Sequence, residues 1–174
     1  MIAGLILKDS NEKESKIAFL EDELTTHSVK NNQEIVDLIA QNTPEILAIN
    51  VGKKAPEGNL TEEEQELQEE GYQFTPSSHK TVERRRLEAL ENHIFEELGQ
   101  EKPDFIRFDP FISIESLALH SDDALRSYGV DPSDISNSEE FDAAVGAITA
   151  RFYQSGQYKS KGLIIPEPLE ENED

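Results

Sequence analysis

The stretch that decides the fold is residues 2–29, which read IAGLILKDSNEKESKIAFLEDELTTHSV. Its first part, Ile2–Leu7, is apolar throughout and shows no polar alternation, which predicts a strand buried on both faces. Two β-rich runs follow at Lys16–Glu21 and Leu24–Val29, each preceded by a polar turn. Connections this short predict that the three strands form an antiparallel meander.

A helix and a further strand are predicted immediately after the meander. Asn31 can cap a helix, and Glu34 stands three residues later, as in a capping box. Pro44 ends this helix, and the next apolar run, Glu45–Val51, predicts a strand buried on both faces. Because that strand follows a helix, we expect it to be parallel to the first strand.

The second half of the chain continues with helices and two more strands. Helices are predicted at 60–71, 81–98 and 136–155, and the last of them begins with a capping box of Ser136 and Glu139. Strands are predicted at 103–108 and 162–166, with loop and short helix between 112 and 129. This order predicts an α/β protein of the RNase H-like class, with a five-stranded mixed sheet flanked by helices. Residues 1–166 are expected to form a single domain, followed by a disordered acidic tail at 167–174.

The composition excludes several classes of protein. The 174 residues include 37 acids, 16 lysines and arginines, and no cysteine, and the formal net charge is −21. Disulfides, thiolate nucleophiles and cysteine metal sites are therefore excluded. The sequence has neither a signal peptide nor an apolar run long enough to span a membrane, so a cytoplasmic protein is expected. The acidity indicates adaptation to high salt, as in halophilic proteins, or a basic protein partner, and it disfavours nucleic acid at low salt.

Basic side chains are clustered only at the start of the 81–98 helix. The cluster is Lys80 with Arg84, Arg85 and Arg86, and the candidates to bind phosphate are Lys80, Arg84 and Arg107. The alternative is that this cluster forms ion pairs along its own helix with Glu83 and Glu88.

Carboxylates are the remaining candidates for catalysis. Hydrolysis of a phosphodiester with two metal ions needs three or four acidic side chains that converge on the ions. The candidate metal ligands are Asp142, Asp109 and Asp9, and Asn50 could supply a neutral oxygen beside them. Asp142 is expected in the first turn of the late helix. Asp142 and Asp109 also have structural interpretations, as a stabilising acid near a helix start and as a turn residue before proline.

Six stretches resemble a family of uncharacterised predicted nucleases that have an RNase H-like fold. The first two align with Gly-Ile-Asp and Ala-Ile-Asp motifs of that family, and the fifth with its Asp-Ala helix. The stretches are 3–6 (AGLI), 48–51 (AINV), 67–76 (LQEEGYQFTP), 105–110 (FIRFDP), 140–156 and 162–166 (GLIIP).

The chain departs from this family at the acids. Three expected acids are Ile6, Asn50 and Arg107 here, and Asp142 alone is retained. The resemblance therefore implies a pseudoenzyme, a catalytically degenerate domain that binds or scaffolds, in which Arg107 pairs with Asp142 or Asp109.

Two alternatives remain open. The first is an active nuclease that uses Mg²⁺ or Mn²⁺ held by Asp142, Asp109 and Asp9, with Asn50 as a further catalytic oxygen ligand. The second is an acidic protein–protein interaction module.

Overall fold

A mixed sheet of five strands forms the centre of the computed structural model, which describes residues 1–10, 12–52 and 60–169. The strands are β1 (Ile2–Ile6), β2 (Ser15–Leu20), β3 (Leu24–Val29), β4 (Ile46–Ile49) and β5 (Asp104–Arg107). They lie in the order β3-β2-β1-β4-β5. β1, β2 and β3 pair antiparallel, whereas β4 is parallel to both β1 and β5. The predicted sheet and its antiparallel meander are confirmed.

The remaining elements are helices and a small hairpin. The α-helices are α1 (Asn32–Asn42), α2 (Glu62–Glu69), α3 (Thr81–Leu98), α4 (Pro110–Ser116) and α5 (Ser138–Gln154). Short 3-10 helices occupy Ser77–Lys80, Gly99–Glu101 and Asp122–Tyr128. β6 (Tyr158–Ser160) and β7 (Ile164–Pro166) pair antiparallel as a separate two-stranded sheet, of which only the second strand was predicted.

Helices cover both faces of the central sheet, which explains why β1 lacks alternation. Ala3 and Leu5 belong to the apolar layer beneath α1 and α3, whereas Ile2 and Ile6 belong to the layer beneath α5. A strand that contributes to two cores needs apolar side chains at every position. The start of α1 is as predicted, since the Asn31 side chain accepts a hydrogen bond from the Glu34 amide.

The backbones of β1 and α5 are in direct contact at two glycines. A Cβ atom on Gly4 would lie 2.2 Å from the Ala143 carbonyl oxygen and 2.5 Å from the Ala147 nitrogen. A Cβ atom on Gly146 would lie 2.6 Å from the ring of Phe108. Side chains at these two positions would push the helix off the sheet, so the glycines set the position of α5.

The start of α5 differs from the prediction by one residue, and two predicted segments lie outside the described residues. The cap of α5 is Asn137, not Ser136: the Asn137 side chain accepts from the Glu140 amide, and Ser136 binds the Glu140 carboxylate. The predicted loop that begins at Gly52 lies outside the described residues from 53 to 59, and the predicted tail does so from 170. Within the described ranges, no helix combines the length and the apolar character needed to cross a membrane.

Candidate functional site

The candidate site lies where the parallel strands β1 and β4 end. Asn50 follows β4, and its side-chain Oδ1 accepts a hydrogen bond from the Leu7 amide at 2.8 Å. Its own amide donates to the Leu5 carbonyl at 3.3 Å. Asn50 is thus held against β1 on two sides, and the oxygen that was predicted to face a metal ion is already bound to the backbone.

Lys80 reaches the same place from the 3-10 turn before α3. Its Nζ donates a hydrogen bond of 2.7 Å to the backbone carbonyl of Asn50. Burial lowers the pKa of Lys80, and the carboxylate of Asp109 opposes that shift. The positive charges of Arg107 and Lys8 lower it further. An ammonium group therefore stands at the end of β4, close to the carboxylate of Asp109.

The carboxylate of Asp109 accepts hydrogen bonds from backbone amides. It is 3% exposed and caps α4: Oδ1 accepts from the Phe111 amide at 2.9 Å and from the Ile112 amide at 3.5 Å. Oδ2 accepts from the Thr75 amide at 2.9 Å. Burial raises the pKa of Asp109, while these hydrogen bonds and Lys80 lower it. Both oxygens of this predicted metal ligand are thus engaged by amide groups.

Asp142 is a carboxylate whose pKa is strongly raised by its surroundings. It lies one turn into α5, beyond the first-turn acids Glu139 and Glu140, so the expected place in the first turn is wrong. Burial raises the pKa of Asp142 to about 6, and the charges of Glu139 and Asp109 add to the rise. Lys8 and Lys80 oppose it. Lys8 itself pairs with Glu139 at 2.7 Å.

Five charged groups therefore influence one another at this end of the sheet. We name them the central cluster: Lys8, Lys80, Asp109, Glu139 and Asp142.

Arg107 does not take part in the expected salt bridge. No ion pair joins it to Asp109 or Asp142. Burial lowers the pKa of Arg107, and the strongest opposing charge is Glu64. Its side chain lies against Gly52 and lines a cavity of about 310 Å³ together with Glu63, Glu64 and Lys161. The prediction that Arg107 pairs with Asp109 or Asp142 is wrong because the guanidinium group extends toward α2.

The other predicted ligands lie apart from the central cluster. Asp9 pairs with Lys13 at 3.1 Å in the turn between β1 and β2, and its charge acts on Arg86. Nη1 of Arg84 is enclosed and has no hydrogen-bond partner in the described part of the chain. The charge of Arg107 acts on Lys80, and the binding of phosphate by Lys80, Arg84 and Arg107 stays a prediction.

The donor set does not fit a site for two divalent ions. Two ammonium groups, Lys8 and Lys80, stand among the three acids of the central cluster. Both Asp109 oxygens and the Asn50 side-chain oxygen already accept backbone hydrogen bonds. Of the residues that the structure describes, no group of three or more His, Asp or Glu is arranged to hold a metal ion.

Two buried charged residues organise the loops around the site: sequence reasoning missed Glu64 and placed Arg86 only in the basic cluster. Glu64 is 2% exposed, forms a reciprocal capping box with Thr61, and accepts a hydrogen bond from the Ser77 amide at 2.9 Å. The Thr-x-x-Glu spacing before α2 was a readable signal for it. Arg86 binds three carbonyl groups in two distant loops, and nothing local in the sequence signals these contacts.

Comparison with known proteins supports the fold alone. Two solved structures of RuvC from Thermus thermophilus, one of them in complex with a Holliday junction substrate, superpose with a TM-score of 0.55 at 13% sequence identity. Each match covers 95% of this chain and 98% of RuvC. No protein-family model and no curated protein matches the sequence. The chain therefore has the RNase H-like α/β fold, and its expected membership in the family of uncharacterised nucleases has no support from a family model.

Proposed function

We propose that this chain is a catalytically degenerate RNase H-like domain that binds or scaffolds another macromolecule and does not hydrolyse nucleic acid with metal ions. The observation that carries the proposal is the 2.7 Å hydrogen bond from Lys80 Nζ to the Asn50 carbonyl. It places a fixed cation among the groups that would have to collect divalent cations. A metal ion there would be repelled by Lys80 and Lys8, whose charges both act on Asp142.

The state of the acids supports the same proposal. Three of the four positions where the resemblance expects acids carry Ile6, Asn50 and Arg107. Asp142 is the single acid that remains at these four positions. A single carboxylate does not supply the three or four acidic ligands that hydrolysis of a phosphodiester with two metal ions requires.

The test is a nuclease assay paired with a direct measurement of metal binding. Single-stranded and duplex DNA, RNA, a DNA–RNA hybrid and a four-way DNA junction would be incubated with Mg²⁺ or Mn²⁺ at low and at molar salt. Titration calorimetry with Mn²⁺ alone would run beside it. Asp142→Asn is the control variant, and Glu96→Gln, an exposed acid on α3, is its charge-matched partner.

We expect no cleavage and no saturable Mn²⁺ binding. Metal-dependent cleavage that is present in the Glu96→Gln protein and lost in the Asp142→Asn protein would overturn the proposal. Cleavage that is equal in both variants would be assigned to a contaminating nuclease and would leave the proposal standing.

An active nuclease is the second candidate, and one observation favours it. Asp109 and Asp142 come from different elements, yet the charge of Asp109 raises the pKa of Asp142, so the two carboxyl groups face a common region. Nucleic acid as a partner is suggested by the junction bound to RuvC, whose fold this chain shares. The net charge of −21 opposes such binding at low salt, so binding without cleavage is expected only when salt screens the repulsion.

A further inference from the structure

The outer edge of β3 is unpaired over its whole length. On its inner side β3 pairs with β2 along the full register, from Ser15 opposite Val29 to Leu20 opposite Leu24. No backbone group on its outer side has a backbone partner within residues 1–10, 12–52 and 60–169. In an antiparallel pair, about half of the N–H and C=O groups of each strand point away from the partner. β3 therefore presents a row of free donors and acceptors at the rim of the sheet.

This edge lacks the features by which proteins protect exposed strands. Edge strands are commonly short, charged, interrupted by proline or bulged. The opposite edge, β5, is protected in this way, since it has four residues and ends with Asp104 and Arg107. β3 has six residues, LTTHSV, with neither proline nor a charged side chain, and its register with β2 has no bulge. Its edge is thus competent to accept another strand.

An acidic cleft lies at the beginning of the same strand. Leu24 and Gly129 line it together with four carboxylates, and its volume is about 290 Å³. The carboxylates belong to Asp22, Glu23, Asp131 and Asp134. Arg126 lies 3.7 Å from Asp131 and offsets one of these charges, and it also lies 3.6 Å from Asp123. The cleft is therefore left with a surplus of negative charge beside a free strand edge.

We propose that the β3 edge is a docking site for an extended basic peptide segment of another protein. The segment adds to the sheet as a sixth strand and places Lys or Arg side chains in the acidic cleft. An antiparallel segment has its C-terminal residues beside Leu24, so its basic residues follow its β-forming residues. Charge complementarity selects this occupant over a second copy of the chain, because two molecules of charge −21 repel each other.

This proposal goes beyond the proposed function and does not depend on it. β3 lies three strands from β4 in the sheet, so the state of the central cluster does not affect the edge. A result that overturns one proposal leaves the other standing.

The test uses a fluorescein-labelled peptide of alternating Val and Thr residues that ends in Lys-Arg-Lys, with fluorescence anisotropy as the readout. Two further peptides, the two N-methylated series, have the same sequence and carry N-methyl groups on alternate residues. The first is methylated at the odd positions and the second at the even positions. N-methylation removes the amide hydrogen and keeps the side chains. We expect binding to be lost in one of the two series, because only one set of amides faces β3. Hydrogen exchange at residues 24–29 should slow when the unmodified peptide binds.

A pair of matched protein variants tests the charge. Asp22→Asn with Asp134→Asn removes two carboxylates from the cleft, and Glu88→Gln with Glu96→Gln removes two exposed carboxylates from α3. We expect the first variant to bind about five-fold more weakly than the second at low salt, since each exposed ion pair contributes modestly. The second variant should bind like the unmodified protein.

Four outcomes would overturn the proposal. The first three are absence of peptide binding, full binding by both N-methylated peptides, and equal weakening of binding in the two protein variants. The fourth is slow hydrogen exchange at residues 24–29 without peptide, in a protein that sedimentation shows to be self-associated. The last outcome would show that a second copy occupies the edge.

Discussion

Two cations near the start of α3, the buried Arg86 and the half-buried Lys80, have opposite surroundings. Arg86 is 8% exposed, and its N–H groups donate hydrogen bonds to backbone and side-chain oxygens of neighbouring segments. Lys80 donates a hydrogen bond to one carbonyl and otherwise faces charged groups. The partners of Arg86 are Asn32 Oδ1, the carbonyls of Lys8, Ser10 and Lys30, and Ser15 Oγ, at 2.8–3.3 Å. A buried cation that binds many backbone carbonyls holds loops in place, and one that faces carboxylates changes what a site can bind.

Replacing Arg86 should have the largest effect. Arg86→Met leaves the partly buried carbonyls of Lys8 and Lys30 without their donor and disconnects the β1–β2 turn from α3. We expect a loss of about 3–5 kcal/mol in the free energy of unfolding, measured by urea denaturation. Arg86→Lys keeps the charge with fewer donors and should lose less. A loss below that of Lys80→Met would break the comparison.

The pH dependence of stability should show an effect of intermediate size from Asp142. Because its folded pKa is raised to about 6, its contribution to stability is full below its unfolded pKa and is lost as the pH rises through 6. Asp142→Asn should therefore stabilise the protein at pH 8 by about 1 kcal/mol, a value reduced to allow for screening by solvent. At pH 4 the variant and the unmodified protein should be alike.

The opposite result would be informative. If Asp142→Asn destabilised the protein at pH 8, the ionised carboxylate would be engaged in an attractive contact, and the environment described for it would be wrong. Denaturation curves at several pH values between 4 and 8 would decide this.

Replacing Lys80 should have the smallest effect on stability. In Lys80→Met the lost hydrogen bond to Asn50 is offset by the removal of a buried charge, so we expect a change within about 1 kcal/mol. The pKa of Asp109 should rise further, since Lys80 lowers it in the unmodified protein. Carboxyl chemical shifts from NMR titration would measure this. An unchanged Asp109 pKa would show that the two groups do not interact.

The fold was largely predictable because its signals are local. The apolar run Ile2–Leu7, the short turns after it and the Asn31 cap each specify structure within a few residues, and the sheet order follows from the crossover rules. Where two capping residues stood side by side, at Ser136 and Asn137, spacing alone favoured the wrong one. Hydrogen bonding of both residues to Glu140 resolves that choice only in three dimensions.

The candidate site was only partly predictable because its contacts are distant in sequence. Asn50 and Asp109 were named as metal-site residues, but nothing near them in the sequence shows that Leu7 and Thr75 amides occupy their oxygens. The position of Lys80 at the Asn50 carbonyl spans 30 residues of chain. Arg107 was expected to pair with the acids because of its position on the strand. That position does not specify which way a long side chain extends, so the expectation failed.

The contact between Gly4 and Gly146 has a mechanical consequence. It removes the freedom of α5 to slide along β1, because the Ala143 carbonyl and the Ala147 nitrogen already touch the strand. Asp142 lies one turn before Gly146, on the same side of the helix. The glycine contact therefore also sets the position of the Asp142 carboxylate relative to the sheet. An alanine at position 146, which adds no charge, would then shift the titration of Asp142 by displacing the whole helix.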